Sequence, residues 1–124
     1  MSGMRRGLSL VLGEANHARL HAALTLACAA AALGRPVRLF LHGEAVAALQ
    51  PSRQWAGDAA YAASAMPSVA ELLEGALEMG VTVMACQSGL HLCGIAATSL
   101  PEGVETGGMV AFLAGAGEDE TALG

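Results

Sequence analysis

The stretch Gly80-Val81-Thr82-Val83-Met84-Ala85-Cys86-Gln87-Ser88-Gly89-Leu90 decides the fold. Val81 to Ala85 is a short apolar, β-branched run closed by Gly80 on one side and by Gln87, Ser88 and Gly89 on the other, the pattern of a buried strand that ends in a turn. A helix leads into it. Ser68 is its N-cap and Glu71, at the third helical position, completes a capping box, so the helix runs to Met79 and Gly80 ends it. Leu90 to Ala97 reads as a further short helix. A strand end in an open α/β sheet faces the crevice where ligands bind. A thiol there, near the N-terminus of the next helix, has its thiolate favoured by the helix dipole.

The same alternation extends toward the N-terminus. Gly7 to Gly13 is too short and too well bounded by glycine to be a helix, and reads as a strand. Asn16 to Leu33 repeats Leu20, Ala23, Leu24, Ala27, Ala30 and Ala31 at helical spacing, with Gly34 and Pro36 as the stop. Val37 to Leu41 is a second strand, and His42-Gly43-Glu44 turns into a short helix, Glu44 to Leu49. Residues 50–67, with Pro51, Gly57 and Pro67, have no strong period and read as a long loop with at most one helical turn. Gly108 to Ala114 reads as a short helix with Thr106 as N-cap. The acidic end, residues 117–124, reads as a weakly structured tail with at most a stub of edge strand at Thr121-Ala122-Leu123. Strands alternating with helices imply parallel pairing through right-handed crossovers. The expectation is one α/β domain over 1–124, a three-layer α/β/α sandwich around a mostly parallel sheet.

Composition narrows the function. The chain has 124 residues, enough for one domain with a real core. Charged residues make up only 14% against 54% apolar, so part of the surface is expected to be covered in a homo-oligomer. A net charge of −5 with scattered arginines gives no basic stripe, which argues against a nucleic-acid partner. There is no lysine, which removes Schiff-base and P-loop chemistry. Arg5-Arg6 before Leu8 to Leu12 has the flavour of a signal peptide, but Glu14, His17, Arg19 and His21 break the apolar region it needs. With no stretch reading as a membrane span, the expected location is cytoplasmic. Three cysteines in a reducing compartment give no disulfide framework.

Cys86 reads two ways. Free cysteine is most often a small buried hydrophobe, but Cys86 ends its strand and is followed by the small and polar Gln87, Ser88 and Gly89, which favours a presented thiol. Strand-end loops of one sheet converge, so Glu14, His42 and Glu44 could approach it; for Glu44 the competing role is a charge at a helix start. Cys28, inside the alanine-rich helix, and Cys93 read as core packing. In a continuous helix Cys86 and Cys93 would stand roughly 10 Å apart, beyond the ~7 Å a disulfide spans. Cys86, His91 and Cys93 lack the second ligand pair of a zinc site, so no metal is expected, and no other cofactor. His91 has the alternative of assisting the thiol. The flanks of Cys86 and Ser88 lack the glycines of a nucleophile elbow, and Gly115-Ala116-Gly117 lacks the rest of a dinucleotide loop.

Several segments, in order, resemble the DsrE/DsrF-like family of small sulfur-relay proteins. They are Leu8-Ser9-Leu10-Val11, then Ala31 with Leu33-Gly34 and Pro36-Val37-Arg38-Leu39-Phe40, then Gly43-Glu44-Ala45-Val46, Leu72-Leu73 before Gly80-Val81, and Ala85 to Leu90. The resemblance implies an α/β sandwich assembled as dimers, trimers or hexamers. It also implies a persulfide-accepting cysteine at Cys86, supported by its neighbours, with a sulfur donor or acceptor protein as partner. Family members close with an apolar strand, whereas Glu120 to Gly124 here is short and weakly apolar. The function expected is a sulfur-relay carrier or sulfurtransferase-like protein. The alternatives are a non-catalytic oligomeric or small-ligand-binding module on the same fold, and a peroxide-reacting protein resolved by Cys93.

Overall fold

Parallel strands can be joined only by crossovers long enough to return the chain to the same edge, and helices supply them here. The computed structural model describes residues 6–50 and 52–124, so Arg5 and Pro51 of the sequence reading lie outside it. The strands β1 (Leu8–Leu12), β2 (Val37–Leu41), β3 (Thr82–Cys86), β4 (Glu105–Gly107) and β5 (Glu120–Leu123) form one sheet in the order β4-β3-β2-β1-β5. Every pairing is parallel. Among the described residues the helices are α1 (His17–Ala32), α2 (Ala56–Ala63), α3 (Val69–Glu78), α4 (Gln87–Cys93) and α5 (Met109–Ala114), with 3-10 helices at Gly43–Leu49 and Ala97–Ser99.

The strand order dictates the layers. The chain steps from β1 to β2 to β3 to β4 in one direction, then returns across the whole sheet to β5. Right-handed crossovers place the helices of the outward steps on one face and the helix of the return step on the other. Side chains alternate along a strand. Leu10 and Leu12 of β1 therefore rise on one side, where α1 packs on the strand and its Ala23 and Leu26 line a shallow cavity with them. Arg38 and Phe40 of β2 rise on the other side, where Phe112 of α5 lies 5.2 Å from the Phe40 ring centroid. Helices thus cover both faces, and β1 is buried along its full length, as a parallel strand in such a fold must be. The fold class is the α/β arrangement expected.

The best-read elements owe their ends to local chemistry. The Asn16 side chain accepts the Arg19 N–H at 3.0 Å and starts α1. Ser68 Oγ accepts the Glu71 N–H at 3.1 Å and Glu71 Oε1 accepts the Ser68 N–H at 2.9 Å, so the expected capping box starts α3.

Four readings are corrected. Residues 50–67 are not only loop, because they contain α2. It buries no residue of its own and is held by tertiary ties: His17 Nε2 donates to Asp58 Oδ1 at 2.8 Å, Val69 N–H donates to the same oxygen at 3.2 Å, and Tyr61 packs edge-on to His17 and His21. Residues 117–124 are not only tail. The free edge of β1 templates β5, with Glu120 N–H donating to Gly7 O at 2.9 Å and Gly124 N–H to Val11 O at 2.8 Å. Arg35 adds hydrogen bonds to the Glu120 carboxylate and to Arg6 O. Thr106 is not a helix cap, since it lies in β4 and Gly108 caps α5. The helix after Cys86 starts at Gln87 and ends at Cys93, rather than spanning Leu90 to Ala97.

The capping box yields a prediction. Ser68→Ala lowers stability by about 1 kcal/mol in urea unfolding. The hydrogen bond from the Ser68 backbone holds the Glu71 carboxyl below its ordinary value. A carboxyl depressed in the folded state adds stability above its unfolded value, and loses it as pH falls through the folded one. The stability gap between wild type and Glu71→Ala is therefore full at neutral pH and shrinks in acid below the ordinary carboxylate range.

Candidate functional site

The carboxyl ends of β1, β2 and β3 carry Gly13-Glu14, His42-Gly43-Glu44 and Cys86 with the first turn of α4. They meet through glycine. A Cβ placed on Gly89 would lie 2.5 Å from the Gly43 carbonyl oxygen and 3.1 Å from its Cα, so the two backbones touch where any side chain would collide. Gly43 sits at φ +56, the left-handed region glycine enters at little cost. A Cβ there would in turn stand 3.9 Å from the Gly13 carbonyl oxygen. The segments after β2 and β3 are thus stacked backbone on backbone, with Gly13 beside Gly43.

That stacking fixes the surroundings of the sulfur. Cys86 is the N-cap of α4, in extended geometry, and its Sγ accepts the Gly89 N–H at 3.3 Å. An amide pointed at sulfur is the contact that an N-cap oxygen makes in ordinary helices, and it favours negative charge on the acceptor. Gln87 and Ser88 are the exposed first residues of α4, while Gly89 is buried. His42 follows β2 one position beyond the Leu41–Ala85 pair, so it stands beside Cys86 on the next strand, with its ring stacked 6.2 Å from Phe40. Its side chain, like those of Glu14 and Glu44, makes no hydrogen bond among the described residues, and all three are exposed. The structure therefore gathers the expected residues at one sheet edge but bonds only Gly89 to the sulfur.

One expectation about the thiol is overturned. Cys86 is 6% exposed, not open to water at the rim. Because α4 starts directly at Gln87, no open turn follows the strand. Gly107 of β4, in register with Cys86, flanks the other side. A cavity of about 340 Å³ does exist, but Leu49, Trp55, Leu73, Leu77 and Pro101 line it and no strand-end residue does.

The other cysteines separate by environment. Cys28 is half-buried on α1, its thiol donating to Leu72 O at 3.6 Å, and burial pushes its pKa up. Cys93, at the end of α4, is half-buried against the core. The helix between Cys86 and Cys93 is unbroken, so their Cα atoms lie roughly 10 Å apart along it, beyond the ~7 Å a disulfide spans, which weighs against Cys93 as a resolving thiol. Among the described residues no three histidine, cysteine or acidic side chains cluster as metal ligands. Sequence reasoning missed Gly43 as a site residue; its signal was only a glycine two residues past a strand.

The geometry is matched by kinship. The model of the DsrE/DsrF-like family matches residues 9–122, and the chain belongs to that family. Solved structures share its fold. The ychN protein from E. coli is similar at 23% identity over 96% of this chain and 98% of that one, with a TM-score of 0.77. A protein of unknown function from Methanobacterium thermoautotrophicum, MTH1491, is similar at 14% identity over 97% of this chain and 100% of that one, with a TM-score of 0.74. No curated protein sequence matches the chain. No helix among the described residues is long and apolar enough to cross a membrane.

The glycine contact sets opposite signs for two similar substitutions. Gly89→Ala forces α4 away from Gly43 and costs on the order of 1–3 kcal/mol. Gly75→Ala, in the middle of α3 where a Cβ would meet nothing within 4 Å, stabilises, by about 0.5–1 kcal/mol. Urea midpoints of the two variants move in opposite directions.

Proposed function

We propose that the protein is a sulfur-relay carrier whose Cys86 accepts sulfane sulfur as a persulfide and passes it to a partner. Membership of the DsrE/DsrF-like family supports a sulfur-relay role in general. The observation that carries the specific reading is the Gly89 N–H directed at Cys86 Sγ from the first turn of α4.

The chemistry is thiol exchange. The Cys86 thiolate attacks the outer sulfur of a donor persulfide R–S–SH. A new S–S bond forms at Cys86, the donor S–S bond breaks, and the donor leaves as R–S⁻ with the electrons of that bond. The outer sulfur keeps its proton, giving Cys86–S–SH. An acceptor thiolate then attacks that outer sulfur in the same manner and Cys86 leaves as thiolate, so nothing is oxidised or reduced overall. The Gly89 amide favours the anion that attacks and the one that departs. The donor and acceptor are thiol proteins or small persulfides, and the setting is a reducing one, consistent with a cytoplasmic protein.

A second reading, an assembly module, is supported by exposed apolar side chains: Leu123 at 84%, Val110 at 83% and Leu92 at 68%. Such residues fit a homo-oligomer whether or not Cys86 reacts.

Intact mass after treatment with a polysulfide donor tests the first reading. Wild type gains about 32 Da, one sulfur, located on Cys86, and Cys86→Ser gains none there. Absence of the adduct on wild-type Cys86, with unchanged oligomeric state in Cys86→Ser, would favour the assembly module instead.

A further inference from the structure

A sulfur that exchanges with partners must at some moment be reached, yet Cys86 is buried. The face on which it lies is the less firmly covered one. By strand alternation Met84 and Cys86 rise on the same side as their neighbour Phe40. Over that side runs α5, six residues long, which starts just after Gly107, the register partner of Cys86.

The attachment of α5 is slight. Phe112 is its one buried residue, while Val110 and Leu113 on the same helix are exposed. Phe112 is clamped between the Phe40 ring and the Arg38 guanidinium, whose Cζ lies 4.3 Å from the Phe112 centroid. Gly108 before the helix and Gly117 after it stand where an added Cβ would meet nothing within 4 Å. The clamp also carries a penalty. In the closed arrangement Arg38 Nη1 is shielded from water with no hydrogen-bond partner among the described residues. An unmet buried donor favours any state that returns it to water.

We propose that α5 is a hinged cover over the sulfur site, latched by Phe112 between Phe40 and Arg38, and that its opening admits the reactants to Cys86. The cover's purpose rests on the sulfur-carrier reading, but its motion does not. Local opening of a segment held by few buried contacts, with small residues as hinges, is the ordinary route to a shielded group. The latch side chain is distant in sequence from Cys86 and forms no part of the sulfur's own hydrogen bonding.

The test is alkylation by iodoacetamide in native buffer, read separately at each cysteine by mass spectrometry. Cys28, on α1 beneath the opposite face, serves as internal control for global loosening. Phe112→Ala is expected to speed modification of Cys86 by roughly ten-fold or more, the scale of losing one buried aromatic latch, with the Cys28 rate unchanged. Gly108→Ala, where a Cβ would meet nothing within 4 Å and the backbone is extended, stiffens the hinge and is expected to slow Cys86 by about two-fold. An unchanged Cys86 rate in Phe112→Ala, or equal acceleration of Cys28 and Cys86, overturns the cover. An unchanged rate in Gly108→Ala overturns the hinge. If Phe112→Ala bares Cys86 but neither protein takes up sulfane sulfur, the cover stands and the carrier reading falls. If wild type and Phe112→Ala take up sulfur at equal rates, the carrier reading stands and the cover falls.

Discussion

Gly43 and Gly89 touch backbone to backbone, and any side chain at Gly89 would collide with Gly43. The rest of the site follows from it. Because the turn after β2 sits directly on the first turn of α4, the helix starts without a connecting loop, and Cys86 becomes both the last residue of β3 and the cap of α4. Only in that position does its sulfur receive the Gly89 amide. The geometry around the sulfur is therefore set by main chain, which holds position more tightly than long side chains do. It also accounts for a site with few polar side chains near its reactive atom.

The sheet is asymmetric in how its faces are covered. One bears α1, which packs on β1 and β2 and, on its other side, against α3. The other is crossed once by the return connection to β5, and its cover rests on Phe112. This asymmetry comes from the topology, since three connections run outward and only one runs back. A buried thiol under the weaker face and a rigid scaffold on the stronger one are two consequences of one strand order.

The three central strands and the helices α1 and α3 were legible because each carries its own local signal: apolar runs for β1, β2 and β3, Asn16 for α1, and the Ser68–Glu71 box for α3. What escaped is tertiary in origin. The sequence of α2 has no buried face, and its order comes from His17, Asp58 and Val69 meeting across three segments. The strand β5 is weakly apolar and exists because β1 has a free edge and Arg35 reaches Glu120. Three-residue β4 offers too little pattern to read. At the site, Cys86 was legible from its strand-end place, and Gly89 from its neighbourhood. Burial of the sulfur was not, because the Gly43–Gly89 contact at the first turn of α4 and the packing of Phe112 on Phe40 both join residues far apart in sequence.

The central claim is that sulfur is carried on Cys86 beneath the Gly89 amide. A crystal structure of protein treated with a polysulfide donor tests it most directly. The account predicts one additional sulfur atom bonded to Cys86 Sγ, with the Gly89 N–H still directed at the disulfur group and Gly43 still in contact with Gly89. A bare Cys86 in protein that chemical assay finds loaded with sulfur, or sulfur resting on Cys28 or Cys93 instead, would contradict it.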